Sequence, residues 1–124
     1  MSVIVRSAED IRALVGEEFG TSSWVEVNQG QIDGFADLTG DHQWIHTDPE
    51  RAASGPFGTT IAHGYLTLSL LVPLLEELLV VENRTSSINY GLDKVRFPAR
   101  CHPALVSGCR PAWPRQRTSI QEFR

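Results

Sequence analysis

The run from Ala62 to Val80, AHGYLTLSLLVPLLEELLV, limits the folds open to this chain more than any other segment. A helix of this composition is apolar nearly all round, so either other structure or lipid must cover it. A membrane span is the competing interpretation, because about 20 apolar residues cross a bilayer. His63, Pro73 and the glutamates at 76 and 77 argue against a span, since charges inside a short hydrophobic run are costly. We therefore expect a long central helix, starting at Ala62 or His63, in a protein without a membrane partner.

Chain length and charge bound the class of protein. A chain of 124 residues suits one domain with one core. The N-terminus lacks the apolar run and cleavage site of a secretory signal, so a cytoplasmic location is expected. The net charge of -4 is unevenly distributed: up to Ala99 there are 6 Lys and Arg against 14 Asp and Glu, and after it 5 against 1. The arginines of the basic end lie among prolines without a fold motif, which predicts no nucleic-acid partner.

The remaining elements follow from capping residues and apolar periodicity. Helices are predicted to begin after Ser7, Asn28 and Asp48, each followed by residues suited to a first helical turn. Alternating apolar residues predict strands over 24–27 and 86–97. The resulting order of helix, strand, helix, loop, long helix and strand indicates the α+β class.

The segment TGDHQWIHTDPERA places a carboxylate and an imidazole, Asp41 and His46, where a helix runs into a loop. Histidine is the side chain best suited to deprotonate water near neutral pH. A nearby carboxylate can orient the same water, fix the imidazole tautomer or return a proton to the product. Two such groups on one water suit hydration or dehydration. The alternative is structural: Asp41 follows a helix end and His46 fills a half-buried turn.

The segment IAHGYL places Gly64 in the opening turn of the predicted central helix. Free backbone N–H groups and the positive end of the helix dipole lie there, and they can stabilise a carbonyl oxygen that gains negative charge. Close helix packing is the alternative reason for the glycine. Two further imidazoles flank these segments. His42 is predicted to face solvent and His63 to help start the helix, with a catalytic role as the alternative for each.

Together the stretches FADLTGDHQWIHTDPERA and FGTTIAHGYLTLSL resemble the MaoC-like family, the (R)-specific enoyl-CoA hydratases of hot-dog fold. The resemblance covers roughly residues 24–99, with motif order and distances agreeing over both segments. It implies an antiparallel sheet wrapped around the long central helix.

The resemblance also implies roles for individual residues. Asp41 and His46 fall on the catalytic pair, which holds the water added across a 2-trans-enoyl thioester to give the (R)-3-hydroxyacyl-CoA. Gly64 falls on the backbone donor to the thioester carbonyl. The substrate brings coenzyme A, no other cofactor and no metal is implied, and the family is typically a homodimer. A hot-dog acyl-CoA thioesterase is an alternative that would act on the same thioesters.

Two features depart from the family pattern or extend it. Many members have Asn-Pro between the catalytic pair, where this chain has Gln43 and Trp44. This difference affects the turn or the acyl pocket. Trp44, Phe57 and Tyr65 are candidates for lining that pocket, with plain core packing as the alternative.

The chain changes character after Ala99, which divides it into a hot-dog part, residues 1–99, and an atypical Pro- and Arg-rich tail, residues 100–124. Cys101 and Cys109 lack the spacing of a zinc site, and we expect neither a metal nor a disulfide there. Reading GC-rich codons for residues 100–113 from the third base gives VPPGTRVRVPARM, in which GTRVRV alternates as a strand does. The tail is therefore hypothesised to be a frameshifted reading that leaves the fold incomplete. A divergent basic tail, and an inactive truncated hydratase relative that at most binds or dimerises, are the alternatives.

Overall fold

The computed structural model describes residues 2–17 and 20–103, which form two strands and six helices. In chain order these are β1 Val3–Val5, α1 Ala8–Ala13, α2 Gln29–Thr39, α3 Trp44–Thr47, α4 Pro49–Ala53, α5 Gly64–Ser69, α6 Leu71–Leu78 and β2 Leu79–Val81. The described residues divide into two units. One comprises residues 2–17, 20–23 and 72–91, and the other comprises residues 24–71 and 92–103.

The first unit is built on the parallel pairing of β1 with β2, in which Val5 lies opposite Val81. Val5 is 1% exposed. After β1 the predicted first helix begins with a capping box, which the structure confirms. The Ser7 hydroxyl accepts from the Asp10 N–H at 3.1 Å, and the Asp10 carboxylate accepts from the Ser7 N–H at 3.0 Å. Two orphan donors of α1 are thereby satisfied.

The second unit centres on α2, whose start after Asn28 was predicted from sequence. Asn28 caps it in a second capping box, and Gly40 ends it in the left-handed conformation, with φ 79°. Ile32 and Ala36 are fully buried on its inner face. The apolar cluster around them consists of Val27, Ile32, Ala62 and Cys101, with Leu66 and Leu70 packed against it.

The predicted single helix from Ala62 or His63 to Val80 is wrong. The structure has α5, then a turn at Leu70, then α6, and residues 79–81 are strand. Pro73 explains the break, because proline lacks the N–H that would donate to the carbonyl of Ser69 and its ring clashes with that carbonyl. In the first turn of α6 the missing N–H costs nothing.

The predicted burial of this segment is also wrong. Among residues 64–80, Leu74 is buried, whereas Tyr65 is 71% exposed and Val72 is 43% exposed. A helix can be buried on several sides only when sheet or helix covers those sides. Within the described residues the paired strands are β1 and β2, three residues each and parallel, so the expected antiparallel sheet is not formed there.

The two predicted strands are not observed as strands. Val25 forms a single bridge within residues 24–27, and residues 86–97 are irregular backbone with a bend at Asp93. Ile88 in the second segment is 86% exposed. A strand persists through a hydrogen-bonded ladder with a neighbour, and no described segment forms such a ladder with residues 86–97.

The prediction that neither cysteine forms a disulfide is wrong for Cys101, which is disulfide-bonded. Cys109 and most of the tail lie outside the described residues. No helix within residues 2–17 and 20–103 has the length and apolar character needed to cross a bilayer.

Candidate active site

The C-terminus of α2 and the short helix α3 bring Asp41 and His46 to the same cleft. Gly40 turns the chain out of α2, so that Asp41 is the first residue of the connecting turn. His46 lies in α3, five residues later, and is 7% exposed, whereas the Asp41 side chain is 53% exposed. A buried imidazole therefore faces a carboxylate that remains open to solvent.

A backbone carbonyl determines which nitrogen of His46 is available. His46 Nδ1 lies 2.7 Å from the carbonyl oxygen of Ile61. Because a carbonyl oxygen only accepts hydrogen bonds, Nδ1 carries the proton and the lone pair of the neutral ring is on Nε2. The Gln29 side chain donates to the His46 carbonyl at 2.7 Å and accepts from the Thr60 hydroxyl. Hydrogen bonds therefore fix both the ring and the backbone of His46.

The spacing of the acid–base groups suits a shared water. One oxygen or nitrogen each of Asp41, His46 and His63 lies within 4.8 Å of the other two. No direct ion pair joins Asp41 to His46 within the described residues. Two groups that share a water, each at about 2.8 Å, lie roughly 4.5–5 Å apart. The pair can therefore hold one water between them.

His63 lies at the centre of this site, whereas the sequence placed it beside the site and predicted chiefly that it helps start the central helix. It does precede α5 as the N-cap residue, but its side chain makes no capping hydrogen bond. Its ring is instead 3% exposed and stacked on His46, with centroids 3.8 Å apart and planes 24° apart. His63 Nε2 donates to the Asp41 carbonyl at 2.9 Å, and Nδ1 is buried without a hydrogen-bond partner among the described residues. Its position directly before Gly64 in the sequence was the available signal.

Gly64 begins α5 at the edge of the same cleft. The N–H groups of a first helical turn have no partner inside the helix, and the Gly64 N–H donates no hydrogen bond to any residue that the structure describes. A Cβ added at Gly64 would lie 2.8 Å from Cδ2 of Phe97. Both sequence interpretations of the glycine thus have a basis here: close packing against Phe97, and an open donor.

The cleft has a volume of about 530 Å³ and carries aromatic rings as well as the polar groups. Its lining residues are Phe35, Thr39, Asp41, His46, His63, Gly64, Tyr65 and Phe97. Of the three candidates for an acyl pocket, only Tyr65 is in this lining. The Arg51 guanidinium lies over Trp44, with Cζ 4.4 Å from the centroid of the Trp44 ring. The Arg100 guanidinium lies over Phe57, with Cζ 4.9 Å from the centroid of the Phe57 ring.

His42 is directed away from the cleft. It is 55% exposed and its Nε2 lies 2.8 Å from the Asp37 carboxylate. This hydrogen bond is the main cause that raises the pKa of His42 above its ordinary value. The expectation that His42 faces solvent is therefore confirmed.

A metal ion fits these residues poorly. Asp41, His46 and His63 are a plausible donor set by residue type. However, His46 Nδ1 and His63 Nε2 are both engaged with backbone carbonyls. The remaining lone pairs lie in two stacked and nearly parallel ring planes, so one ring would have to rotate before both could bind one ion.

Comparison with known proteins identifies the family to which the chain is related. The MaoC like domain family matches residues 10–103. The chain is 58% identical over 93 residues to "3-hydroxyacyl-thioester dehydratase Z" of Mycobacterium tuberculosis, an alignment that covers 75% of this chain and 62% of that protein. It is 52% identical over 113 residues to "Nodulation protein N" of Rhizobium meliloti, covering 84% of this chain and 70% of the relative. The chain thus spans less than two thirds of the mycobacterial relative's length.

A solved structure supports the same relationship. The "Monoamine oxidase regulatory protein" from Archaeoglobus fulgius is 28% identical and superposes with a TM-score of 0.66, over 83% of this chain and 67% of that one. The family match and this structural neighbour indicate the hot-dog fold. The chain belongs to the MaoC-like domain family.

Proposed function

We propose that this chain catalyses the (R)-specific hydration of 2-trans-enoyl-CoA thioesters to (R)-3-hydroxyacyl-CoA, or the reverse dehydration. The observation that carries the proposal is the geometry of His46. Its Nδ1 is held by the Ile61 carbonyl, so its Nε2 lone pair is available. A carboxylate oxygen of Asp41 lies within 4.8 Å of one of the two ring nitrogens. The name of the mycobacterial relative, 3-hydroxyacyl-thioester dehydratase Z, supports a hydration or dehydration reaction.

Each residue has a distinct task in the proposed reaction. His46 Nε2 takes a proton from the water while the water oxygen bonds to C3 of the enoyl group. Asp41 orients that water, accepts the proton from His46 and delivers it to C2, so that both groups end in their starting state. The Gly64 N–H donates to the thioester carbonyl, where negative charge develops as C3 is attacked. The net change is the addition of one water across the double bond.

The substrate carries its own coenzyme A, and the proposed chemistry uses no further cofactor. We also propose that the protein acts as a homodimer in the cytoplasm. Sedimentation analysis tests the assembly: a mass of one chain at the concentration used for turnover would contradict the dimer.

The direct test incubates the purified chain with crotonyl-CoA. Loss of the enoyl-thioester absorbance is followed, and chiral analysis identifies the product, which should be (R)-3-hydroxybutyryl-CoA. D41N and H46Q should each lose about 10²-fold or more in kcat if their groups do acid–base work. H42Q is the matched control, since it alters an exposed imidazole of the same turn and should leave kcat unchanged. Activity should survive dialysis against EDTA.

Three results would overturn the proposal. Near-full activity in D41N would remove the assigned acid–base pair. Release of free coenzyme A without hydration would favour the thioesterase alternative. Loss of activity on metal removal, with recovery on adding a divalent cation, would show that the reaction needs a metal ion. Asp41, His46 and His63 would then be its candidate ligands.

One observation favours the alternative of an inactive relative. Residues 86–97 have the sequence pattern of a strand but do not form one, and Ile88 is 86% exposed. Folded protein that binds crotonyl-CoA without turning it over would support this alternative. Turnover by the 124-residue chain would exclude it.

A further inference from the structure

His63 contacts both members of the acid–base pair, although it belongs to neither assigned role. Its ring stacks on His46 at 3.8 Å, and its Nε2 lies 2.9 Å from the Asp41 carbonyl oxygen. Phe35 lies against it with a centroid distance of 4.9 Å. These contacts fix the imidazole, which is 3% exposed, between the two groups assigned to the water.

The hydrogen bond determines the state of the ring. The Asp41 carbonyl can only accept, so His63 Nε2 carries the proton and the neutral ring leaves Nδ1 without one. That Nδ1 is buried and has no hydrogen-bond partner within the described part of the chain. A buried polar atom without a hydrogen bond costs free energy, which suggests that the ring is retained here for a reason beyond packing.

We propose that His63 is a positioning residue, which fixes Asp41 relative to His46 through its Nε2–H bond to the Asp41 carbonyl. This inference rests on the proposed function. Asp41 lies in an exposed turn, where its carboxylate accepts a long hydrogen bond, 3.4 Å, from the Gln43 N–H. His63 Nε2 lies 4.0 Å from Oδ2 of the same carboxylate. The His63 bond ties the backbone of this turn to the start of α5, where Gly64 also lies. One imidazole thereby holds together the carboxylate, the base and the thioester donor.

Two substitutions at His63 separate the hydrogen bond from the packing. H63F keeps an aromatic ring against His46 and Phe35 but has no N–H donor. H63Q loses the ring but places an amide N–H at nearly the reach of Nε2. If the hydrogen bond positions Asp41, kcat should fall about 10²-fold in H63F, the usual consequence of a misplacement near 1 Å. H63Q should recover about tenfold of that loss, with KM within about twofold in both because substrate binding is not altered.

H42Q is the control for both His63 variants. H42Q should keep the kcat of the parent protein, because the His42 side chain is exposed, pairs with Asp37 and is not part of the cleft lining. A folded H63F with kcat within about threefold of the parent would overturn the proposal, since such a change is under 1 kcal/mol. Equal losses in H63F and H63Q would also overturn it, because the N–H donor restored in H63Q would then have recovered no activity.

A measurement without turnover separates this inference from the proposed function. Long-range ¹H–¹⁵N correlation identifies the tautomer of each imidazole, and His63 should carry its proton on Nε2 while His46 carries it on Nδ1. The ¹³C shift of the Asp41 carbonyl should change in H63F and return toward the parent value in H63Q. Absence of turnover with these spectra would refute the proposed reaction but not the His63 bond. A proton on Nδ1 of His63 would refute the bond whatever the activity.

Discussion

His46 and His63 show how backbone carbonyls assign different protons to two imidazoles in contact. His46 donates from Nδ1 to Ile61, and His63 donates from Nε2 to Asp41. The two rings are stacked, yet their free nitrogens are of opposite type. Which nitrogen can act as a base is therefore decided by the fold around the ring and not by the residue type.

The third imidazole of this region, His42, gives a prediction about pH. Its hydrogen bond to Asp37 raises the pKa of His42, with the Gly40 carbonyl as a smaller contribution in the same direction. D37N should move the pKa of His42 back toward about 6.5, its unperturbed value. NMR titration of the His42 ring measures this directly.

The sign of the linked stability change follows from that shift. A histidine whose pKa is raised in the folded protein stabilises it fully below the unfolded pKa, and this contribution is lost as the pH rises through the folded value. The difference in unfolding free energy between the parent and D37N should thus be largest below about pH 6.5 and vanish at higher pH. A difference that grows with pH would contradict the assignment.

At the scale of elements, the sequence predicted the parts whose signals are local. Ser7, Asn28 and Asp48 cap helices as expected, since a cap depends on residues within one turn. The break between α5 and α6 departs from the prediction because Pro73 cannot continue a helix, whatever the apolar content of the run. The contacts of His63 were not predictable because its partners, Asp41 and His46, are distant in sequence.

The turn that carries the acid–base pair illustrates the same limit. Gln43 is the N-cap of α3 and Trp44 its first residue, the positions at which many family members have Asn and Pro. Gln43 makes no side-chain capping bond, and Trp44 packs against Gly55, where an added Cβ would lie 2.9 Å from its ring. The helix nevertheless forms and brings His46 into the cleft. With Gln43 and Trp44 at these positions, His46 still lies in the cleft.

Two glycines in helices give a matched prediction at this scale. Gly34 lies in the interior of α2, and a Cβ there would meet nothing within 4 Å, so G34A should stabilise the protein by about 0.5–1 kcal/mol. A Cβ at Gly64 would lie 2.8 Å from Phe97 and beside the proposed thioester donor. G64A should therefore displace that ring and lower kcat/KM by about 10²-fold.

Thermal unfolding and crotonyl-CoA kinetics on both variants check this pair. G34A should raise the melting temperature and leave kcat/KM unchanged. Equal kinetics in G34A and G64A would mean that the first turn of α5 does not receive the thioester.

At the scale of the whole molecule, the sheet is the part that sequence reasoning could not place. The alternation in residues 86–97 reports a capacity to form a strand, whereas a strand also requires a neighbour to pair with. In the described residues β1 and β2 form the only ladder, and they run parallel. Exposed apolar side chains such as Ile88 at 86% and Leu92 at 58% are the consequence.

The tail hypothesis makes the last prediction, which belongs to the whole chain. We propose that residues 100–124 are a frameshifted reading, and that the neighbouring frame of the coding DNA continues as a strand like VPPGTRVRV. Sequencing that DNA is the first check, and the absence of such a continuation would refute the proposal. If it is present, a protein with the restored frame should pair this strand with residues 86–97. The amides of Ile88 and Val95 should then exchange slowly, and the denaturant dependence of unfolding should steepen, because more surface is buried on folding. Unchanged exchange at Ile88 in the restored protein would show that the tail is not what keeps residues 86–97 out of a sheet.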